Sequence, residues 1–207
     1  MPDKPIFVTG IGTGIGKTIV SAVLVEKLKA DYWKPVQSGD LDDSDTAKVK
    51  SLVTNTTSVF HPEAYRLSQP FSPHKSAAID GIAIDPKKFT LPVTNNTLIV
   101  EGAGGLMVPL NNNFLMIDLI RELDAEVILV SQNYLGSINH TLLSIYALKQ
   151  DNIPIKGIIF NGAGDIYSEE FILDHSGLKL LGHIPEFTVL DKNAIIDAGN
   201  LLAHGEC

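Results

Sequence analysis

The sequence predicts an α/β fold: a mostly parallel sheet with helices on both faces. Three observations carry this. Short apolar runs recur without polar alternation, helically spaced segments separate them, and a chain of 207 residues with 44% apolar content can fill a core. Uninterrupted β-branched runs suit strands covered on both sides. Strand and helix in alternation imply right-handed crossovers, and so parallel strands. A chain of this length buries roughly 70–75% of its unfolded surface, so no staple is needed.

In chain order, Ile6-Phe7-Val8 is the first strand, and Ile19, Val20, Val23, Leu24 and Leu28 form a helical stripe after it. Tyr32-Trp33 ends a short second strand. Residues 39–96 are less regular, with Asp-rich, Ser/Thr-rich and Pro-rich pieces. Inside that segment Phe71-Ser72-Pro73-His74 opens a short helix. Asp85-Pro86 starts another, with Asp as cap and Pro in the first turn. No flexible linker bounds the segment, so it reads as an elaborated insertion in one domain spanning residues 1–207. Leu98-Ile99-Val100 is the next strand, followed by the stripe Ile117, Ile120, Leu123. Val127-Ile128-Leu129-Val130 leads to a helix carrying Leu142, Leu143, Ile145, Tyr146 and Leu148, expected to open at Asn139. Ile158-Ile159-Phe160 and the fainter Leu180-Leu181-Gly182-His183-Ile184 complete the strands.

The strongest chemical signal follows the first strand: Gly10-Ile11-Gly12-Thr13-Gly14-Ile15-Gly16-Lys17-Thr18. Glycines let a backbone turn tightly and aim N–H groups inward, and the following helix start adds partial positive charge. Lys17 can reach the β- and γ-phosphates of a nucleotide, and the Thr18 hydroxyl can bind magnesium. The pattern G-x4-G-K-[ST] misses by one residue, since Ile11 stands where its first glycine belongs. The dinucleotide pattern G-x-G-x-x-G fails at Ile15 and at Lys17. Gly-Lys-Thr between strand and helix has no packing rationale, so the sequence predicts a single-domain P-loop NTPase fold.

Other constellations fall at later strand ends. Lys34-Pro35-Val36-Gln37-Ser38-Gly39 places a lysine at the carboxyl edge of the sheet, where open α/β folds bind ligands, although a lone loop lysine is ordinarily solvated. Asp42-Asp43-Ser44-Asp45 offers carboxylates for magnesium, and the residues alone leave open which of the three serves. Glu101, ending the Leu98 strand, suits a Walker-B acid, and Gly102-Ala103-Gly104-Gly105 lets backbone approach phosphate. Leu135-Gly136-Ser137-Ile138-Asn139 opens a helix, which by itself reads as capping by Ser137 or Asn139. Asn161-Gly162 and Pro185-Glu186-Phe187 end the last two strands, where a nucleotide base could rest.

Composition excludes several classes. With 16 basic against 24 acidic residues the formal charge is −8, and the only adjacent basic pair is Lys87-Lys88, so a nucleic-acid binder is not expected. The single cysteine, Cys207, precludes an internal disulfide. The first apolar run, three residues long, is shorter than a signal-peptide core. Residues 127–148 lack Lys, Arg, Asp and Glu but carry polar residues in their middle, unlike a membrane span. A soluble, cytoplasmic protein without a membrane partner is expected. The 6 histidines show no metal-ligand spacing, and G-x-S-x-G is absent.

Taken together these motifs resemble the dethiobiotin synthetase family, over nearly the whole chain. The carriers are the offset P-loop, the motif from Lys34 to Gly39, the run from Glu101 through Leu106 to Val108-Pro109-Leu110, and Leu135-Gly136-Ser137-Ile138-Asn139-His140-Thr141. The resemblance implies a MgATP-dependent closure of a cyclic urea from 7,8-diaminononanoate and carbon dioxide, through a carbamate and its phosphoric anhydride. It makes Lys17 and Lys34 catalytic. It assigns ATP to Gly14, Ile15, Gly16, Lys17, Thr18, Ile19, Asp45, Glu101, Gly102, Ala103, Gly104, Asn161, Gly162, Pro185, Glu186 and Phe187. It assigns the diamine to Thr13, Lys34, Ser38, Leu135, Gly136 and Asn139. Mg2+ would be held by Thr18, Asp45 and Glu101, which selects Asp45 from the acidic cluster. The resemblance also implies a homodimer with sites at the subunit boundary, where the turn holding Leu135 and Asn139 would bind the substrate carboxylate from the second subunit. The main competitor is a switch-type P-loop ATPase of the partitioning and septum-placement class. Those carry a lysine five residues before the Gly-Lys-Thr lysine, where this chain has Gly12, and lack the motif around Lys34. Amide-forming synthetases of the cobyrinic-acid type need a glutaminase cysteine that Cys207 does not supply.

Overall fold

The computed structural model describes residues 4–203, so Cys207 lies outside the described residues. Strand β1 (Ile6–Gly10) enters the phosphate loop and helix α1 (Lys17–Leu28). Strands β2 (Asp31–Trp33) and β3 (Val36–Ser38) precede helix α2 (Asp45–Leu52). Strands β4 (Phe60–His61) and β5 (Tyr65–Leu67) lead to helix α3 (Pro73–Ile79). Strand β6 (Leu98–Gly105) is followed by strands β7 (Pro109–Asn111) and β8 (Phe114–Leu115) and helix α4 (Met116–Glu122). Strand β9 (Glu126–Ser131), helix α5 (Ser137–Gln150), strand β10 (Ile155–Asn161), helix α6 (Ile166–Ser176), strand β11 (Leu180–Ile184) and helix α7 (Lys192–Leu201) complete the chain.

Seven strands form one sheet in the order β11-β10-β9-β1-β6-β2-β4, and every pairing in it is parallel. Alternate residues of its central strands feed two cores. Phe7, Val100, Leu129 and Phe160 face α4, α5 and α6. Val8, Ile99, Val130 and Ile159 face α1 and α7. Each strand is therefore apolar on both sides, which is why its sequence shows no alternation. All expected strands are present, as are the helices after β1, β6 and β9.

Three local features differ from the sequence reading. Helix α5 opens at Ser137 rather than Asn139, and its N-cap is Gly136 at φ 101°, with no capping side chain. Only glycine adopts that left-handed conformation freely, so the turn is set by backbone, not by Ser137 or Asn139. Asp85-Pro86 begins a single 3-10 turn, Pro86–Lys88, with the Asp85 carboxylate accepting from Lys87 N. The segment 39–96 also supplies two short strands: β5, which pairs in parallel with β3 just before the segment, and β4, which extends the main sheet. Short strands without hydrophobic runs left little trace in the sequence. Helices α2, α6 and α7 are capped by Ser44, Asp165 and Asp191, a signal present but unused.

Candidate active site

The phosphate loop joins the central strand to α1. Gly14 and Gly16 both take positive φ, 77° and 90°. A side chain at Gly16 would collide with the Asn161 amide, which donates to Ile15 O at 3.1 Å. Lys17 folds back on the loop and donates to Gly12 O at 2.8 Å. Burial lowers its pKa to about 8; Glu101 and Asp45 oppose the shift and Lys34 adds to it.

A second lysine is embedded among carboxylates. The β2–β6 register pairs Trp33 with Val100, which puts Lys34 and Glu101 side by side just beyond the pair. Lys34 Nζ donates to Glu101 Oε1 at 2.9 Å and lies 2.6 Å from Asp45 Oδ2. Glu101 also accepts from Thr18 Oγ1 and Tyr32 OH, each at 2.9 Å. Asp45 is the first residue of α2, and its N–H donates to Gln37 Oε1 at 3.2 Å. Burial alone would discharge Lys34 and Asp45. The Lys34 ammonium prevails at Asp45 and holds its pKa below the usual range, while the two carboxylates raise that of Lys34. Burial, with Glu101 behind it, drives the Tyr32 hydroxyl well above its ordinary pKa, so it stays a donor.

A cavity of about 590 Å³ opens between these groups. The predicted residues Thr13, Gly14, Gly16, Lys17, Thr18, Ile19, Lys34, Ser38, Asp45, Glu101, Gly102, Ala103 and Gly104 all line it. The Ser38 hydroxyl is buried and has no hydrogen-bond partner among the described residues. Ile15 does not line the cavity; its side chain fills the α1-side core. Sequence reasoning missed Val36, Gln37, Lys48, Val108 and the wall formed by Pro70, Phe71, Ser72 and Pro73. Val36 and Gln37 sit inside a motif already singled out, whereas the wall depends on long-range packing of α3.

The remaining predicted residues stand elsewhere. Asn161 ends β10 and Gly162 follows it, with Gly162 N donating to Ile184 O at 2.9 Å. Pro185 and Glu186 are exposed after β11, while Phe187 packs on the α1-side core. Leu135, Gly136 and Asn139 are exposed at the start of α5. Beside them a groove of about 830 Å³ runs between the phosphate loop and α5, lined by Gly12, Met107, His140, Leu143 and Tyr146 among others. Thr13 and Val108 line both the cavity and this groove.

Chemically, the site offers two ammonium groups for anions, backbone N–H groups for phosphate, and two carboxylates with a hydroxyl. Such hard oxygen donors suit magnesium, which takes one or two carboxylates and fills its other positions with water and phosphate oxygens. The convergence of Glu101 with Thr18 and, through Lys34, with Asp45 therefore fits that ion. Among the described residues no group of three or more His, Cys, Asp or Glu gathers as an all-protein metal cage. No described helix is long and apolar enough to cross a membrane.

Comparison with known proteins bears on the chemistry. A family model described as AAA domain matches residues 4–194. The ATP-dependent dethiobiotin synthetase of Christiangramia forsetii is 52% identical over 93% of this chain and 92% of its own length. That of Cytophaga hutchinsonii is 50% identical, covering 93% of each. Among solved structures, the MinC:MinD cell division protein complex of Aquifex aeolicus superposes with a TM-score of 0.60 at 15% identity, over 96% of this chain and 95% of the other. A ParA family ATPase from Chlorobium tepidum gives 0.57 at 15% identity, over 97% and 100%. At such identities these likenesses show the shared P-loop NTPase fold alone.

Proposed function

The chain belongs to the ATP-dependent dethiobiotin synthetase family, and we propose that it closes the cyclic urea of dethiobiotin from 7,8-diaminononanoate and carbon dioxide, with ATP as phosphoryl donor. One observation carries the assignment of roles: Lys34, buried beside Glu101 and Asp45, shares a cavity with the phosphate-loop Lys17. An anionic acceptor and a triphosphate can thus meet at adjoining cations.

One amine of the diamine captures carbon dioxide and loses a proton, giving a carbamate. The carbamate oxygen attacks the γ-phosphorus of ATP and ADP leaves. The second amine then attacks the carbonyl carbon, expels phosphate and closes the ring. No enzyme nucleophile is needed, so the protein's work is positioning and charge stabilisation. Lys34 keeps its charge despite burial, holds the carbamate and favours its anionic form. The unpartnered Ser38 hydroxyl donates to the same anion. Lys17 exchanges Gly12 O for the γ-phosphate. Thr18, Asp45 and Glu101 would hold Mg2+, which when bound neutralises charge on the β- and γ-phosphates. Asn161, Gly162, Pro185, Glu186 and Phe187 bind the base.

Two copies of the chain form the working unit, in the cytoplasm. Met107, Leu143 and Tyr146 are exposed along the groove that shares Thr13 with the cavity. The exposed start of α5, at Leu135, Gly136 and Asn139, binds the substrate carboxylate from the second copy, where the helix N-terminus favours an anion. The segment 39–96 is an insertion in one domain and contributes a wall of the site. The test is ADP release from MgATP and bicarbonate with and without the diamine, with product mass recorded. Diamine-dependent release and the mass of dethiobiotin are expected; ATP hydrolysis indifferent to the diamine would reject the reading.

A further inference from the structure

Behind the turn at Gly162 lies a polar cluster that the reaction has not used. Asn133, beyond β9, donates through Nδ2 to Ala163 O at 3.0 Å and to Glu169 Oε1 at 2.6 Å. His183, in β11, meets Gly162 O through Nε2 at 2.9 Å. A carbonyl only accepts, so Nε2 carries the proton. The other ring nitrogen, Nδ1, faces Glu169 Oε2 at 3.5 Å. Glu169, in the first turn of α6, also accepts from Asp165 N at 3.1 Å. Two successive peptide carbonyls are thus gripped by two side chains from different elements; the Glu169 carboxylate accepts from one of them, Asn133, and stands beside the other, His183.

Asn161 itself needs no such help. It lies within β10 and is fixed by its donation to Ile15 O. Gly162, at φ 101°, is where the chain leaves the strand, and its carbonyl direction depends on the grip from His183. The cluster touches neither Lys17 nor Lys34 and lies outside the cavity that holds them.

We propose that Asn133, Glu169 and His183 are positioning residues for nucleotide-base recognition: they fix the Gly162–Ala163 backbone against which the base of ATP is read. The proposal rests on the assignment of the base to Asn161 and Gly162. It separates base recognition from phosphate recognition, because the phosphate loop keeps all its contacts when the cluster is cut.

The test compares two probes by calorimetry, MgATP and magnesium tripolyphosphate, which share phosphates but not the base. Glu169→Ala and His183→Ala should each weaken MgATP about three- to tenfold, the effect of a lost hydrogen bond or two, and leave tripolyphosphate unchanged. In turnover, KM for ATP should rise by the same factor while kcat and KM for the diamine hold. Glu169→Gln keeps an accepting oxygen for Asn133 and Asp165 and should restore most of the affinity. His183→Ala removes no buried carboxylate, so it gives the comparison even if Glu169→Ala fails to fold. Equal weakening of both probes, or none for MgATP, would overturn the proposal. A parent protein that binds tripolyphosphate as tightly as ATP would overturn the base assignment beneath it.

Discussion

Lys34 and Glu101 form a buried ion pair, Nζ to Oε1 at 2.9 Å, with side chains 4% and 1% exposed. Glu101 is held from two further directions by Thr18 and Tyr32. Lys34 is held from a second side by Asp45. The ammonium thus stands among the same oxygens proposed to bind magnesium. Removing either partner strands a charge, while both must remain free to exchange partners when substrates arrive.

Lys34→Met should abolish diamine-dependent turnover, by about 10²–10³-fold or more as for other lost anion-stabilising donors. MgATP binding should survive, because the phosphate loop and Lys17 are untouched. Stability should fall by up to about 3–5 kcal/mol, the cost of stranding a buried carboxylate, and Glu101→Gln in the same chain should recover part of it. Calorimetry, denaturation and a turnover assay on the single and double variants check all three; near-normal turnover would remove Lys34 from the mechanism.

Asp45→Asn should weaken magnesium-dependent nucleotide binding about ten- to a hundredfold, the range for a lost charge-assisted contact. Nucleotide titrations at several magnesium concentrations measure this. Unchanged magnesium dependence would transfer the role to Asp42 or Asp43.

Nucleotide affinity should decline as pH rises through about 8, the lowered pKa of Lys17. Bound phosphate favours the ammonium, so above that pH binding must draw a proton from solvent. Calorimetry in two buffers of different ionisation enthalpy reads that uptake directly. The same shift acts on folding with the opposite trend. The folded chain binds fewer protons here than the unfolded one between about 8 and the ordinary lysine value of 10.5, so this group's contribution to stability rises with pH across that window. Binding with no proton uptake on the alkaline side would show that Lys17 stays charged in the free protein.

If the proposed dimer packs through the groove, Leu143→Asp should sediment as a monomer and raise KM for the diamine, since a charge replaces an exposed apolar side chain there. A parent chain that sediments as a monomer would remove the subunit-boundary site.

Much of this architecture was legible in the sequence, for identifiable reasons. Val8, Ile99, Val130 and Ile159 belong to runs that are apolar on both faces, so the parallel sheet declares itself locally. The phosphate loop is likewise local, since Gly14, Gly16, Lys17 and Thr18 lie within five residues. The contact of Lys34 with Glu101 spans 67 residues and follows only from the β2–β6 register. Pro70 and Phe71 reach the cavity through packing of α3, and Asn133, Glu169 and His183 converge from a loop, a helix and a strand. No periodicity in the chain reports such meetings. The choice of Asp45 over Asp42 and Asp43 needed a resemblance, because their chemistry is the same; in the structure Asp45 alone of the three pairs with Lys34.

The division of labour between Lys34 and Lys17 is tested most directly by ¹³C NMR of labelled carbon dioxide with the diamine, magnesium and a non-hydrolysable ATP analogue. The parent protein and Lys17→Ala should both show the resonance of an enzyme-bound carbamate, and Lys34→Met should lose it while still binding the analogue. A carbamate signal that persists undiminished in Lys34→Met would contradict the account.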